Sequence, residues 1–350
     1  MSYIKTFACF ILSVFLASCV SQSYEVQSVC EVTDLYNYVV KWEVDPFIEG
    51  KVYIYSSLDP DHFDLNAPAA IEDISRGRAD LVIKGSLNRR YFLLRFNDAA
   101  SSVVGVRAQK FDKVDNFRDM GGYYNEERRP LKWGKLYRSG ALDSIDGTCA
   151  TRVQRMNIHT LIDLRMFPGE GLAPETGIKN YYSFPVYTDL QDPLPLIRMH
   201  QFKRGDALVF MQDVNAAMLL QAKHSFREMF QVLAQPDNYP VIISCNYGTL
   251  QTSLGIALVL SALDIPEHVI FEDYMLSNRY FNVRRIAYLG AELPLEIQDA
   301  ITTMLVSDER YLRAAFQEIT RRYGSMDQYL LKEMGVDQEF KKKLQSILLD

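Results

Sequence analysis

At 350 residues the chain is long enough for two domains, and 48% hydrophobic residues suffice for ordinary cores. A formal net charge of −6 gives no general attraction to nucleic acid, which we exclude as a partner. The five histidines share no metal-ligand spacing, and the cysteines form no Cys-x-x-Cys pair. The sequence therefore predicts no metal site and no cofactor.

The first 18 residues have the layout of a secretory signal. Lys5 supplies a short positive region, and residues 7–17 form an apolar stretch too short to span a membrane. The end of this stretch, "LASC", resembles the lipobox of bacterial lipoproteins, in which cleavage leaves a diacylated cysteine, here Cys19. We expect a signal peptide at 1–18, a lipidated linker at 19–24 and a lipid anchor in the bacterial cell envelope (outer membrane, periplasmic or surface face). A plain secretory peptide with a chance cysteine is the alternative.

Residues 25–110 read as a series of short strands. In "NYVVKWEV", period-two alternation puts Val40, Trp42 and Val44 on one face. The runs "KVYIYSS", "ADLVIKGS", "RYFLLRF" and "VVGVRAQK" follow, separated by turn-rich pieces. Strands at this spacing, with an early tryptophan, predict a small all-β sandwich of immunoglobulin or fibronectin type.

From residue 111 to 350, β-like runs alternate with helical patterns. "IHTLIDLR" and "PVIISC" have the character of strands, whereas "TSLGIALVLSALDI" and "HVIFEDYMLSNRYF" have that of helices. This alternation predicts an α/β core with a central, largely parallel sheet flanked by helices. The last 45 residues show apolar residues at intervals of three and four, which predicts helices to the end of the chain.

The stretch "PVIISCNYGTLQTSLGIALVLSAL" joins a strand, a cysteine, a short loop with one glycine and a helix. A tight loop of this kind turns its backbone N–H groups inward, and the following helix adds its positive end, so that a phosphate is well held. The same field lowers the pKa of a cysteine at the loop entrance. Cys245 is therefore the candidate nucleophile.

Residues 111–350 resemble bacterial protein-tyrosine and dual-specificity phosphatases of the lipid-phosphatase-like kind. The likeness rests on the loop and on five blocks in order: "NFRDMGGY", "RPLKWGKLYRSGAL", "LIDLR", "EDYMLSN" and "YGSMDQYL". The family loop reads His-Cys-x-x-Gly-Lys-Asp-Arg-Thr-Gly, and the resemblance implies the family's cysteine-phosphatase fold. It assigns catalysis to Cys245 and Thr252, and phosphate binding to Asn246, Tyr247, Gly248, Thr249, Leu250, Gln251 and Ser253. Arg118, Asp119, Asp163 and Arg165 fall in blocks that support the loop.

The departures from that motif fall where the chemistry would occur. Ser244 replaces the histidine, Thr249 the lysine, Leu250 the aspartate, Gln251 the arginine and Ser253 the final glycine. In the family, the arginine forks onto two phosphate oxygens, and the aspartate is a candidate proton donor. Losing one preorganised donor costs about 3–4 kcal/mol, and losing a general acid a further hundredfold or more in rate. The resemblance thus implies a degenerate site.

Three features offer replacements for the lost groups. Asp189 and Asp192 lie in "VYTDLQDPLP", where aspartates next to proline are more often turn formers than acids. An arginine from elsewhere, namely Arg118, Arg138 or Arg165, is the second. The third, "CATRVQR" (149–155), satisfies Cys-x5-Arg by count, but it lacks a preceding strand and a glycine and lies in expected helical sequence. Thr252 and Ser253 also suit helix capping.

Three functions remain open. The first is a catalytically impaired phosphatase of the envelope that binds, at the Cys245 loop, a protein or a phosphorylated or anionic ligand such as a phosphorylated protein, a phospholipid or a small anion. The second is an active cysteine-dependent phosphatase that hydrolyses phosphotyrosine or phosphoinositide esters through a phosphocysteine. The third is a structural role in which the β-sandwich captures a partner, so that deletion of 25–110 would leave a folded second domain.

Overall fold

A computed structural model describes residues 24–33, 37–83, 89–111, 113–145, 147–168, 176–287 and 291–350. The predicted signal peptide, the lipobox-like "LASC" and Cys19 lie outside these residues. The described amino-terminal part contains these strands: β1 Glu25–Val32, β2 Tyr38–Asp45, β3 Lys51–Ser57, β4 Ala70–Asp73, β5 Arg78–Leu81, β6 Tyr91–Phe96 and β7 Ala100–Gly105. Among the described residues they form two antiparallel sheets, in the orders β1-β2-β5 and β4-β3-β6-β7.

One hydrophobic core lies between these two sheets. Val40 and Trp42 enter it from β2, and Ile54 and Phe92 enter it from β3 and β6. In β3 the buried side chains alternate with exposed ones, because successive strand residues point to opposite faces. The predicted antiparallel β-layer is therefore present, and its identity as an immunoglobulin or fibronectin fold remains a prediction.

The remainder forms an α/β core around a mixed sheet. Its strands are β8 Arg118–Asp119, β9 Leu136–Ser139, β10 Thr160–Asp163, β11 Asn180–Ser183 and β12 Val241–Ser244. Within the described chain the order is β11-β10-β12-β9-β8, with β8 antiparallel and the other four parallel. The predicted α/β core is confirmed. Strand β12 lies between β10 and β9, so its carboxyl end opens at the middle of the sheet edge.

Helices cover both faces of this sheet. The described helices of the chain are α1 Gly147–Gln154, α2 Leu194–Arg198, α3 Arg204–Gln221, α4 Lys223–Leu233, α5 Gln251–Ala262, α6 Glu267–Tyr280, α7 Arg284–Ala287, α8 Leu295–Leu305, α9 Glu309–Tyr323, α10 Met326–Tyr329 and α11 Gln338–Leu348, with 3₁₀ turns at Ile74–Arg76 and Pro236–Asn238 and a π turn at Leu330–Met334. Residues of α1 pack on one face of the sheet and residues of α5 on the other. Helix α5 is almost wholly buried in the main core, as its continuous apolar sequence requires. No helix among the described residues has the length and apolarity needed to cross a bilayer.

The β-layer and the α/β core meet through a buried ion pair. Arg89, which is 5% exposed, lies 2.5 Å from a carboxylate oxygen of Asp119. Its Nη1 also donates to the hydroxyls of Tyr91 at 2.6 Å and Tyr137 at 3.0 Å. Trp133 packs into the core of the β-layer and donates from Nε1 to the Val103 carbonyl at 2.9 Å. The two parts therefore share buried polar and apolar contacts.

Candidate active site

Cys245 follows strand β12 directly and is 1% exposed. The next five residues form the loop, and α5 begins at Gln251. All four residues of β12 are buried, so the strand fixes the position at which the loop starts. Because parallel strands direct their carboxyl ends to one edge, the segments that follow β9 and β10 border the same site.

The loop carbonyls point away from the loop centre and are held by the surrounding protein. The Asn246 carbonyl accepts a hydrogen bond from the Ala141 N–H at 3.2 Å. The Tyr247 carbonyl accepts from Asn116 Nδ2 at 2.9 Å. The Gly248 carbonyl accepts from an arginine, Arg138, at 2.7 Å. Outward carbonyls leave the amide groups of the same peptides facing inward.

Gly248 is required by this turn on two grounds. Its φ of +66° lies in the left-handed region, which residues with a Cβ rarely adopt. A Cβ built on it would lie 2.7 Å from the backbone carbonyl carbon and oxygen of Ser139 in β9. The loop can therefore approach β9 this closely only with glycine at position 248.

The inner face of the loop carries a set of unused donors. In the described residues, no backbone N–H from Asn246 to Ser253 donates to a backbone or side-chain acceptor. The Thr252 hydroxyl is fully buried and has no partner in the same residues. Converging amides at the start of a long helix suit an anion. The geometry therefore defines a candidate oxyanion site next to the Cys245 sulfur.

A fixed cation lies behind this loop. Arg138, on β9, donates from Nη2 to Ser253 Oγ at 2.5 Å as well as to the Gly248 carbonyl, and from Nη1 to Asp273 at 2.6 Å. Burial together with nearby Arg118 lowers the pKa of Arg138 to about 10, against the opposing effect of Asp273, so the guanidinium stays charged at neutral pH. The loss of cations implied by the sequence thus applies to the loop itself and not to its surroundings.

Arg138 supplies positive charge but does not offer two adjacent free N–H donors. Its Nη1 and Nη2 are committed to Asp273, Gly248, Ser253 and Ser277. It interacts electrostatically with Cys245. Its Nε has no partner among the described residues, but either pair of neighbouring donors on the guanidinium would include Nη2, which is already engaged. Arg138 therefore contributes a positive field behind the loop and not two adjacent free donors for two phosphate oxygens.

Asp273, on α6, joins the two arginines. Arg118 Nε donates to it at 3.1 Å, and Arg118 Nη1 donates to Asn116 Oδ1 at 2.8 Å. Burial opposes ionisation of Asp273, but Arg118 and Arg138 overcome this and hold its pKa well below the ordinary value. The cluster of two guanidiniums and one carboxylate carries a net positive charge beneath the loop.

A second buried cluster borders the site after β10. Arg165 is held by both oxygens of Asp163 and by Asp143, and Tyr181 donates to Asp163 at 2.8 Å. The hydrogen bonds that Arg165 donates to Asp163 are the main reason that the pKa of Arg165 is raised above its ordinary value. Two carboxylates therefore neutralise the Arg165 guanidinium: Asp163, at the end of β10, and Asp143, in the segment that follows β9.

Asp119, which the sequence also placed among the supporting residues, lies in a different set of contacts. Its carboxylate accepts hydrogen bonds from the Gly121 and Gly134 N–H groups, each at 2.7 Å.

The predicted acids lie in local contacts of their own. Asp189 is exposed, and its backbone and side chain bond to Gln221 on α3. Asp192 accepts from the Leu194 N–H at 2.9 Å, as an aspartate at the start of a helix does. Within the described chain, neither carboxylate has a hydrogen bond or ion pair with the Cys245 loop. The 149–155 segment lies largely in helix α1.

The remaining predicted loop residues are brought together around Cys245. Asn246 is exposed, whereas Tyr247, Thr249, Leu250 and Gln251 are half-buried. The Tyr247 ring packs against Phe281 with a centroid distance of 5.3 Å, and Leu250 packs on the main core. Leu250 thus presents an apolar side chain at the position where the resembled motif has an acid.

The list of candidate residues predicted from sequence omitted three that hold the loop: Asn116, Asp273 and Ser277. Asn116 lies in "NFRDMGGY", and the other two lie in "EDYMLSN". The sequence indicates that both blocks belong to the family pattern. It does not indicate which of their residues contact the loop, because the blocks are distant from the loop along the chain. Among the described residues, no three His, Cys, Asp or Glu side chains are grouped as ligands for a metal ion.

Comparison with known proteins identifies the class. The model of the tyrosine phosphatase family matches residues 109–350, and the chain belongs to this family. A "Putative tyrosine-protein phosphatase" of Cupriavidus necator is 27% identical over 249 residues, covering 68% of this chain and 88% of the relative. The "Triple specificity protein phosphatase PtpB" of Mycobacterium tuberculosis is 26% identical over 281 residues, covering 67% of this chain and 96% of the relative.

Among solved structures, the core catalytic domain of the PP-IP phosphatase Siw14 from S. cerevisiae is similar in part. It is 17% identical, covers 47% of this chain and 94% of that chain, and has a TM-score of 0.27.

Proposed function

We propose that the protein is a catalytically impaired member of the tyrosine phosphatase family that binds an anionic group at the Cys245 loop. The observation that carries the proposal is the backbone of that loop. Its carbonyls are bonded outward to Ala141, Asn116 and Arg138, while the amides from 246 to 253 are left without acceptors in the described chain. Such a loop provides a place for an oxyanion without requiring turnover.

The impairment follows from what the loop lacks. Gln251 and Leu250 stand where the resembled motif has its arginine and its aspartate. Removal of one preorganised transition-state donor costs about 3–4 kcal/mol, and the absence of a general acid costs at least another hundredfold in rate. Arg138 does not replace the arginine, because contact with two phosphate oxygens through adjacent donors would need its Nη2, which already serves Gly248 and Ser253.

The expected ligand is a phosphorylated protein, a phospholipid or another small anion held with modest affinity. The open amides and the cation behind the loop favour negative charge. The loop itself adds no charged side chain, so the affinity for a phosphate dianion should be weaker than in a loop that carries arginine and lysine. Titration of the ¹⁵N-labelled protein with inorganic phosphate or vanadate tests this. Saturable movement of the Gly248 amide cross-peak supports binding at the loop, and its absence at millimolar ligand refutes it.

An active cysteine-dependent phosphatase is the second candidate. It is favoured by the position of Cys245, which lies at the loop entrance and within the electrostatic reach of Arg138. In that reaction the thiolate would displace the alcohol from phosphorus and form a phosphocysteine, which water would then hydrolyse. Turnover of an aryl phosphate by the wild type, well above that of a Cys245→Ser variant, would establish this candidate and end the first.

A double substitution in the loop tests whether the missing arginine and aspartate cause the impairment. Gln251→Arg with Leu250→Asp restores the two groups that the resembled motif contains. If their absence causes the impairment, the double variant gains aryl phosphatase activity that disappears when Cys245→Ser is added. Gln251→Met with Leu250→Asn is the matched control, because it changes both positions without adding charge. Equal activity in the two pairs would contradict the explanation.

We also propose that the protein is held in the bacterial cell envelope through a lipid on Cys19. Support comes from the lipobox-like "LASC" and the short apolar stretch before it. Metabolic labelling with an alkyne fatty acid should mark the wild type and leave Cys19→Ala unmarked. Equal labelling of both, or of neither, would contradict lipidation at this residue.

A further inference from the structure

The Cys245 loop combines many unused donors with no charged side chain of its own. From residue 244 to 254 the sequence contains no Asp, Glu, Lys, Arg or His. The backbone N–H groups from Asn246 to Ser253 have no acceptor among the described residues. The Thr252 hydroxyl, at the second position of α5, is fully buried and has no partner there either. The donors that this segment offers to a ligand are therefore neutral.

Behind the loop, two arginines share one carboxylate. Asp273 is paired with Arg138 at 2.6 Å and with Arg118 at 3.1 Å. Arg107 is farther back, since it lies over the ring of Tyr123, whose hydroxyl donates to Asp273. Within the described chain, Arg138 is the arginine of this group that hydrogen-bonds to the loop. The two arginines and their shared carboxylate amount to one net positive charge, which balances one negative charge on a ligand.

Beside the loop, the balance of charge is negative. Arg165 is paired with two carboxylates, Asp163 and Asp143. Two exposed cations in neighbouring segments, Lys113 and Arg279, also have partners of their own. A second negative charge on a ligand would therefore meet a surplus carboxylate on this side and not a second cation.

The burial of the site makes the charge of the ligand decisive. Cys245 is 1% exposed and Thr252 is fully buried, so an anion bound beside them loses much of its water. The cost of removing an ion from water rises with the square of its charge, whereas its gain from fixed neutral donors rises only in proportion to the charge. In the resembled motif, a lysine and an arginine offset the larger cost. Here Thr249 and Gln251 stand in their places, so a second charge on the ligand weakens binding.

The retained backbone of the loop favours a particular shape of anion. Its free amides come from consecutive residues that turn at Gly248, which has a φ of +66°. An anion with three terminal oxygens can accept from more of these amides than a diester, which has only two. A phosphate monoester has three terminal oxygens but two charges. A sulfate monoester or a sulfonate combines three terminal oxygens with a single charge.

We propose that the Cys245 loop selects a singly charged organic sulfate or sulfonate, an inference that rests on the proposed anion site and names its class of ligand. The loop amides and the Thr252 hydroxyl hold the three terminal oxygens. Arg138 balances the single charge from behind. The organic group leaves the site on the side where Asn246 is exposed.

Four small probes separate the effect of charge from that of shape. Methyl sulfate and methyl phosphate have nearly the same shape, but at pH 8 the phosphate carries the additional charge, because it loses its second proton at about pH 6. Methanesulfonate has one charge on three terminal oxygens, and dimethyl phosphate has one charge on two. Each probe is titrated into the ¹⁵N-labelled protein at constant ionic strength, and the Gly248 amide cross-peak is followed. The Kd of methyl sulfate or methanesulfonate should be at least about threefold lower than that of either phosphate ester.

A charge added inside the loop should reverse this order. In Gln251→Arg, methyl phosphate should bind at least about threefold more tightly than methyl sulfate, because a guanidinium now offsets the second charge. Gln338→Arg is the matched control, since it makes the same substitution at an exposed position in the first turn of α11 and should keep the wild-type order. The ratio of two probes is compared, so a general loss of affinity in a variant does not imitate the effect.

Each outcome has a definite meaning. If the wild type binds methyl phosphate or dimethyl phosphate as tightly as the better of the two singly charged probes with three terminal oxygens, the inference is overturned while an anion site in the loop remains. An unchanged order in Gln251→Arg also overturns it, because charge then does not decide the selection. A response to only one of methyl sulfate and methanesulfonate supports the inference and restricts the class to sulfate esters or to sulfonates. No saturable response to any of the four probes overturns both the inference and the proposed anion site.

Discussion

Asp273→Asn removes one negative charge from between two buried arginines and keeps the shape of the side chain. The carboxylate accepts from Arg138 Nη1 at 2.6 Å, from Arg118 Nε at 3.1 Å and from the Tyr123 hydroxyl at 3.1 Å. An amide offers one acceptor oxygen and turns its NH₂ toward a guanidinium. Removing one partner of a buried ion pair costs about 3–5 kcal/mol, so we expect a loss of that size in the free energy of unfolding.

Urea unfolding at pH 7, followed by circular dichroism, measures this loss. Asp213→Asn is the matched control, since Asp213 is exposed on α3 and has no ion pair among the described residues. A surface change of this kind should stay within about 0.5 kcal/mol of the wild type. A loss below about 1 kcal/mol for Asp273→Asn would refute the view that the carboxylate holds the two arginines in place.

The pH dependence gives a second check with a definite sign. The pKa of Asp273 is held below its ordinary value, so its contribution to stability is fully present above the unfolded-state pKa of about 4. The contribution is lost as the pH falls from there through the folded-state pKa. The gap between the wild type and Asp273→Asn should therefore be constant from about pH 5 to 7 and narrow below about pH 4. A gap that widens in acid would contradict the assignment.

Three further predictions concern other parts of the chain. Gly248→Ala should abolish the phosphate-induced shifts of the loop amides and cost at least about 1 kcal/mol in urea unfolding, because the new Cβ would meet the backbone of β9 at 2.7 Å; unchanged shifts would contradict the loop geometry. Burial raises the pKa of Cys30 to about 12, so iodoacetamide at pH 8.5 should spare Cys30 in the folded protein and modify it in guanidinium, as peptide mass spectrometry would show. Arg89→Met should cost about 3–5 kcal/mol in urea unfolding, since it leaves Asp119 buried and unpaired, whereas the exposed Arg95→Met should cost less than about 1 kcal/mol; equal losses would contradict the role of the buried pair.

Local patterns predicted much of the α/β core. The continuous apolar run after the loop forms α5, and "PVIISC" contains the fully buried β12. In the β-layer, "KVYIYSS" coincides with β3, whereas only the first three residues of "ADLVIKGS" lie in a described strand, which spans Arg78–Leu81. The sequence did not predict β4. Its four residues are too few to establish the alternation of buried and exposed side chains that indicates a strand, and the sequence around them is rich in turn-forming residues.

The contacts behind the loop were harder to predict. Arg138 was one of three arginines considered as a distant replacement, but its actual role depends on the register that places it opposite Ile243 in β12. A signal was present, since an arginine in the buried strand "LYRS" needs an internal partner. The identity of that partner, Asp273, could not be deduced, because it depends on how α6 packs beside the sheet.

The ion pair between Arg89 and Asp119 crosses the boundary predicted at residue 110. Asp119 is joined in β8 to Arg118, which reaches the loop through Asp273 and Arg138. A chimera that exchanged the segment before residue 111 for an unrelated module would leave the buried Asp119 carboxylate with its two backbone N–H donors but without its cation, Arg89. A functional chimera would therefore need either an arginine in the new module that reaches the Asp119 carboxylate, or replacement of Asp119 by a neutral residue.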